Sequence, residues 1–206
     1  PCIFRSASTV ITMSQGTATA SFLTLHIGWV TLALSDVSTA SNLILSSTQS
    51  LYVTFGVSRS VVIIDPRDGT VDQPIVVTFE VHDQYGNIVG SEQRDVNLVT
   101  SSGTAPGGRV NIVSGLGTFS LSDTRHEVVT LSLLDVLGTG LDTYSVQSVL
   151  FAPGQTTRIE ILDPLDGFVN LNTTVTLIAF DQFSNIATHE SRRIGLAATG
   201  SATGHG

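Results

Sequence analysis

Apolar and polar residues alternate with a period of two along most of the chain. Ile75, Val77, Phe79 and Val81 are interleaved with Val76, Thr78, Glu80 and His82, the pattern of a strand with one face in a core and one in solvent. Val129, Leu131 and Leu133 alternate with Thr130 and Ser132, and Val30, Leu32 and Leu34 repeat that arrangement. Further strands are predicted over 59–64, 94–100, 109–113, 117–121, 145–151, 157–162 and 192–198, and around Val175, Leu177 and Ala179. Clusters of Gly, Asp, Asn and Pro punctuate these runs. No apolar stripe with helical spacing is present, so an all-β chain is expected.

The chain also repeats itself. At an offset of 98 positions, "STQSLYVTFGVSRSVVIIDPRDG" (47–69) falls without a gap on "SVQSVLFAPGQTTRIEILDPLDG" (145–167). The same offset carries "HDQYGNIV" (82–89) onto "FDQFSNIA" (180–187), and Glu92 and Arg94 onto Glu190 and Arg192. At 99, "VTLALSDV" meets "VTLSLLDV"; at 101, Gly16-Thr17 meets Gly117-Thr118. About seven short strands in roughly 100 residues is the signature of a β-sandwich. Boundaries fall at Phe55-Gly56 and Pro153-Gly154. One complete module is therefore expected at 56–153, the back half of a module at 1–55 and the front half of another at 154–206. The chain is out of phase with its own repeat.

A strand followed by "HDQYGNIV", with junctions of the "SVLFAPGQTTRIEILDP" kind, resembles the tandem bacterial immunoglobulin-like modules of the invasin/intimin type, found in large extracellular surface proteins. The resemblance covers essentially the whole chain. It implies tandem immunoglobulin-like β-sandwich modules at the cell surface or outside the cell. The second copy departs from the family pattern at Ser184, where Gly is usual, and a less tightly turned corner is expected there.

The repeated motif reads as a structural turn. Asp83 and Asn87 flank Tyr85-Gly86 at a strand end, and Asp181 and Asn185 flank Phe183-Ser184. Asp and Asn side chains cap their own turns, and Gly accepts positive φ. Tyr85 and Phe183 are expected to pack as a lid over the sandwich end, and Trp29 to pack in the core or at a junction. A catalytic reading needs a base or nucleophile repeated alongside, and His82 becomes Phe180 in the second copy.

Composition narrows the partners. Charged residues are 13% of the chain, against about 25% in soluble proteins generally, and the net charge is −8. All nine basic residues are arginine. This balance disfavours nucleic acid and anionic membranes. No run reaches the ~18 apolar residues of a spanning helix. Cys2 stands alone, so no disulfide forms within the chain. The opening "PCIFRSAST" has no signal-peptide pattern, so the chain is read as processed or as an excerpt.

Other candidate chemistry is sparse. His26, His82, His126, His189 and His205 show no metal-ligand spacing, and there is no nucleophile elbow or phosphate loop. "PRDG" (66–69) is not the adhesion tripeptide Arg-Gly-Asp, since the order differs. A calcium set is conceivable at Asp65, Asp68 and Asp72, with Asp163 and Asp166 in the second copy, because carboxylates at a module junction suit a hard cation. The competing reading is a Pro-Asp-Gly turn in solvent, and no cofactor is the base expectation. Asn172-Thr173-Thr174 is a glycosylation sequon without a counterpart at Asp72-Gln73-Pro74.

Repeated modules without a repeated reactive group point to a non-catalytic structural segment of an extracellular filament or stalk, whose partners are neighbouring repeat modules or copies of itself, head to tail. The alternatives are the spacer of a surface adhesin whose binding tip lies elsewhere, and a carbohydrate-binding or enzyme-appended module.

Overall fold

Residues 10–35, 44–135 and 138–199 are described in a computed structural model, and Cys2 lies outside them. The described residues form twelve strands and no helix. In chain order these are β1 (Gly28–Ala33), β2 (Thr48–Val53), β3 (Ser58–Ile64), β4 (Gly69–Thr70), β5 (Ile75–Asp83) and β6 (Arg94–Thr100). There follow β7 (Gly108–Val113), β8 (Leu116–Leu121), β9 (Glu127–Leu134), β10 (Val146–Ala152), β11 (Arg158–Ile161) and β12 (Leu177–Phe180).

Strands β3 to β10 hydrogen-bond in the order β3-β5-β8-β7-β6-β9-β10-β4. Named as first to seventh strand, β3-β5-β8-β7 is the A-B-E-D sheet and β6-β9-β10 the C-F-G sheet of an immunoglobulin-like sandwich. The β6–β7 ladder, from Arg94↔Ile112 to Leu98↔Gly108, joins the two sheets along one edge. At the other edge the first strand serves both. β3 runs antiparallel to β5, the chain crosses at Asp65-Pro66-Arg67-Asp68, and β4 pairs parallel to β10 (Phe151↔Gly69, Ala152↔Thr70). The Asp68 carboxylate holds this crossing by accepting the Leu150 N–H at 2.8 Å.

Alternation translates directly into burial. Val77, Phe79 and Val81 of β5, Val129 and Leu131 of β9, and Val149 and Phe151 of β10 are fully buried with Ile63, Val96, Val110, Ile112 and Leu121. Each of these side chains contributes roughly 1.5–3 kcal/mol of transfer free energy. The β7–β8 hairpin closes on Ser114 (φ 53°) and Gly115 (φ 76°), a left-handed pair that matches strand twist. A Cβ on Gly115 would sit 2.5 Å from the Val89 carbonyl oxygen, so only glycine fits.

The flanking segments are simpler. β1 and β2 form a two-stranded antiparallel ladder, as do β11 and β12. Leu32 on β1 is 42% exposed, whereas Leu131, its counterpart in the repeat, is fully buried. The same pattern is covered in one place and bare in the other because only β9 has a second sheet facing it. Two expectations change here. Residues 192–198 form no strand, since β6 is held on both edges by β7 and β9 and no described strand lies beside its counterpart. Trp29 is not in a core: it is 69% exposed on the outer face of β1, edge-on to Tyr52 at 5.5 Å between ring centroids. Its neighbours Val30 and Leu32 take the inward face, which leaves position 29 pointing outward.

Candidate functional site

The end of β5 carries the first copy of the repeated motif. β5 delivers Asp83 to the sandwich end with its carboxylate 4% exposed. One oxygen, Oδ1, accepts the Tyr85 N–H at 2.9 Å and the Asn87 N–H at 3.0 Å. The other, Oδ2, accepts the Gly56 N–H at 2.8 Å and the Asn87 Nδ2–H at 3.0 Å. The Asp83 N–H donates to the Asn87 carbonyl at 2.9 Å, and Gly86, at φ 80°, donates to the Asp83 carbonyl at 3.1 Å. The turn is thus wound around one carboxylate. Burial alone would raise the Asp83 pKa. The Asn87 amide and the Gly56, Asn87 and Tyr85 N–H groups outweigh it and hold the carboxyl well below the usual carboxylate range.

The second copy repeats this bond for bond. Asp181 is fully buried and accepts Phe183 N–H and Asn185 N–H at 2.9 Å each through Oδ1. Its Oδ2 accepts Gly154 N–H and Asn185 Nδ2–H, also at 2.9 Å. Its pKa is lowered for the same reasons, Asn185 leading the hydrogen-bond donors that override burial. The looser corner expected at Ser184 shows only in the turn's closing bond, 3.3 Å against 3.1 Å at Gly86. Ser184 adopts φ 70°, as Gly86 does, and donates to the Asp181 carbonyl at 3.3 Å. The carboxylate scaffold imposes the left-handed turn, and the serine bears the strain. Tyr85 is 45% and Phe183 40% exposed, so each is partly covered at its corner. Their backbone N–H groups point in at the carboxylate.

Each corner has two attachments that the motif by itself did not reveal. The Gly56 and Gly154 N–H groups bind it to the segment entering β3 or β11. The Asn side chains reach the other way: Asn87 Nδ2 donates to the Leu25 carbonyl at 2.9 Å, and Asn185 Nδ2 to the Thr124 carbonyl at 3.0 Å. Asn185 Oδ1 also accepts the His126 N–H at 2.9 Å. The available signal was the register of the repeat, since an offset of 99 places Leu25 on Thr124.

Beside each corner lies a second recurring group. Ser58 Oγ donates to Glu92, and Arg94 pairs with Glu92 at 2.6 Å. In the second copy Arg192 pairs with Glu190 at 2.9 Å. The Glu92 pKa is lowered: burial pushes up, but Ser58 and Arg94 pull it down further. Glu190 is brought down to about 2, chiefly by the Thr156 hydroxyl and the Arg192 N–H. Glu92 is held as an anion by a hydroxyl at the start of β3, whereas Glu190 is held by the Ser191 and Arg192 N–H groups at 3.0 and 2.9 Å, the Thr156 hydroxyl lying near it without a hydrogen bond.

The remaining candidates are not assembled into a centre. Asp68 is engaged with Leu150, and Asp72 lies against Gly154, where a glycine Cβ would come within 3.3 Å of its carboxyl carbon. Asp65 lines one surface pocket with Asp68, with Arg67 between them. Among the described residues no cluster of three or more His, Cys, Asp or Glu side chains is spaced to hold a metal. His82 Nε2 meets Glu80 at 2.8 Å on the outer face of β5. Asn172 lies in an exposed stretch before β12. Both oxygens of each corner carboxylate are engaged by turn N–H groups and by the asparagine amide.

No protein-family model and no curated protein matches the chain. Among solved structures the chain is similar to invasin, described as a bacterial integrin-binding protein, at 15% identity and a TM-score of 0.45, over 72% of this chain and 32% of that one. It is also similar to FdeC, described as an Escherichia coli adhesin, at 15% identity and a TM-score of 0.42, over 79% and 53%. The chain therefore spans about a third of the one structure and about half of the other.

Proposed function

We propose that the chain is a non-catalytic segment of a tandem immunoglobulin-like array, serving as a filament or stalk outside the cell. In this reading residues 56–153 are one complete module, 1–55 the back half of the module before it, and 154–206 the front half of the module after it. The observation that carries it is the recurrence, 98 residues apart, of one hydrogen-bond scheme that ties Gly56 to Asp83 and Gly154 to Asp181. A scheme repeated for catalysis would repeat a reactive group; this one repeats turn bonds and joints. The bare inward faces of β1 and β12 are what neighbouring stretches of such an array cover, within one chain or from a second copy added head to tail. The surface location rests on the resemblance of the repeated motif to surface modules.

The test is expression of residues 56–153 alone. That fragment should unfold reversibly as an all-β domain, with the same melting curve in EDTA as in calcium. A chelator-induced drop would replace this reading with a calcium-rigidified one built on Asp65, Asp68 and Asp72. Sedimentation of the 206-residue chain addresses head-to-tail addition. Open-ended association rising with concentration is expected, and a monomer at all concentrations would remove that part.

A further inference from the structure

The two asparagines do more than close their own turns. Each carboxamide spans from its own corner to the backbone of an earlier segment: Leu25 for Asn87, and Thr124 with His126 for Asn185. In the sandwich that segment is the turn between β8 and β9. Its geometry is prepared by Asp123, which is 1% exposed and draws the Thr124 and Arg125 N–H groups onto its Oδ1 at 2.7 and 2.9 Å. With those two groups turned inward, the Thr124 carbonyl and the His126 N–H are left facing the next corner. Thr24, the repeat counterpart of Asp123, makes the weaker version with its hydroxyl, 3.3 Å from the His26 carbonyl and 3.4 Å from the His26 N–H.

The orientation of the reading group is fixed as well. A carboxylate only accepts, so Asp181 Oδ2 forces the NH2 of Asn185 to its own side and toward the Thr124 carbonyl. The amide oxygen is then aimed at the His126 N–H. One side chain thus presents a donor and an acceptor in a set order to a carbonyl and an N–H two residues apart, as a strand edge would.

We infer that the Asp-Gln-aromatic-small-Asn corner is a module-to-module latch. Its asparagine reads the main chain of the β8–β9 turn of the preceding module, and this fixes the angle between neighbours. The inference rests on the module division proposed above, and its test is chosen to be separable from that reading.

The measurement is amide hydrogen exchange on the 206-residue chain with Asn185→Ala. The His126 amide should exchange roughly five- to tenfold faster, the expected loss for one net hydrogen bond. Leu131, in the β9 ladder, and Phe183, bonded to Asp181, should keep their protection. Spin labels at Val113→Cys and Leu165→Cys, both exposed positions, in a Cys2→Ser background should give a single narrow distance distribution that broadens in the Asn185→Ala chain. Asn185→Asp, which retains acceptors but donates nothing to the Thr124 carbonyl, should broaden it too. Unchanged exchange at His126 would overturn the latch. So would loss of protection at Leu131 and Phe183 together with His126, because the asparagine would then hold its own fold rather than the joint. Neither result depends on whether the chain serves as a stalk.

Discussion

The corners at Asp83 and Asp181 differ in two ways. The first has Gly86 at its left-handed position and one bond to an earlier segment, at Leu25. The second has Ser184 there and two such bonds, at Thr124 and His126. Inside the turn the bonds to the carboxylate match almost to a tenth of an ångström. What is invariant is the anion with its ring of donors; what varies is the strain tolerated and the grip on the earlier segment. The lesson is that a buried carboxylate can dictate backbone conformation strongly enough to override the residue preference of the turn.

Acid should break both corners at once and is the largest effect expected. Asp83, Asp181, Glu92 and Glu190 all have lowered pKa values in the folded chain. Their stabilisation is fully present above the ordinary values of 3.8 and 4.5 and is lost as pH falls through the folded ones, about 2 for Glu190. Thermal melts should be flat from pH 7 to about 5, then fall steadily toward pH 2. A melting temperature constant down to pH 2 would mean the carboxylates are not the organising groups.

Asp83→Ala should be the most damaging single change at the corner, leaving the Gly56, Tyr85 and Asn87 N–H groups without their acceptor, and is read as a fall in melting temperature. Asn87→Ala removes one donor and should cost about 1–2 kcal/mol in denaturant unfolding. If the two cost the same, the carboxylate is not the hub.

The exchange of turn residues isolates strain. Nothing lies within 4 Å of a Cβ placed on Gly86, so Gly86→Ser carries only the left-handed penalty and should cost about 1 kcal/mol. Ser184→Gly should gain somewhat less than 1 kcal/mol, because it forfeits the bond from Arg158 Nη2 to Ser184 Oγ at 3.2 Å. A loss at Ser184→Gly would show that this bond outweighs the relief of strain.

Much of the sandwich was legible in the sequence because its strands obey one rule. β6 to β10 lie within two residues of the runs predicted from alternation, and Val77, Phe79 and Val81 face the core as their period requires. What alternation does not contain is the neighbour that turns a pattern into a strand. Residues 192–198 carry the β6 pattern with no strand beside them, and of the two places expected for Trp29 the core one failed because a large ring suggests burial whichever face it occupies. At the corner, the Asp and Asn were legible from turn chemistry. Ser58, Gly56 and Gly154, Asp123 and the Leu25 and Thr124 carbonyls were not, since these act through a single hydroxyl, a backbone atom or a distant loop.

The latch inferred above is addressed to main-chain atoms. Asn87 and Asn185 bind carbonyls belonging to Leu25 and to Thr124, residues with nothing in common as side chains. A contact written in backbone is indifferent to the identity of the residue that supplies it. The loop facing each corner can therefore vary at Leu25 and Thr124 themselves, provided the residue before them, Thr24 or Asp123, still shapes the turn. Under the module division proposed above, a duplicated, deleted or exchanged module would meet the same backbone socket, and such an array would change length by recombination without redesigning that contact.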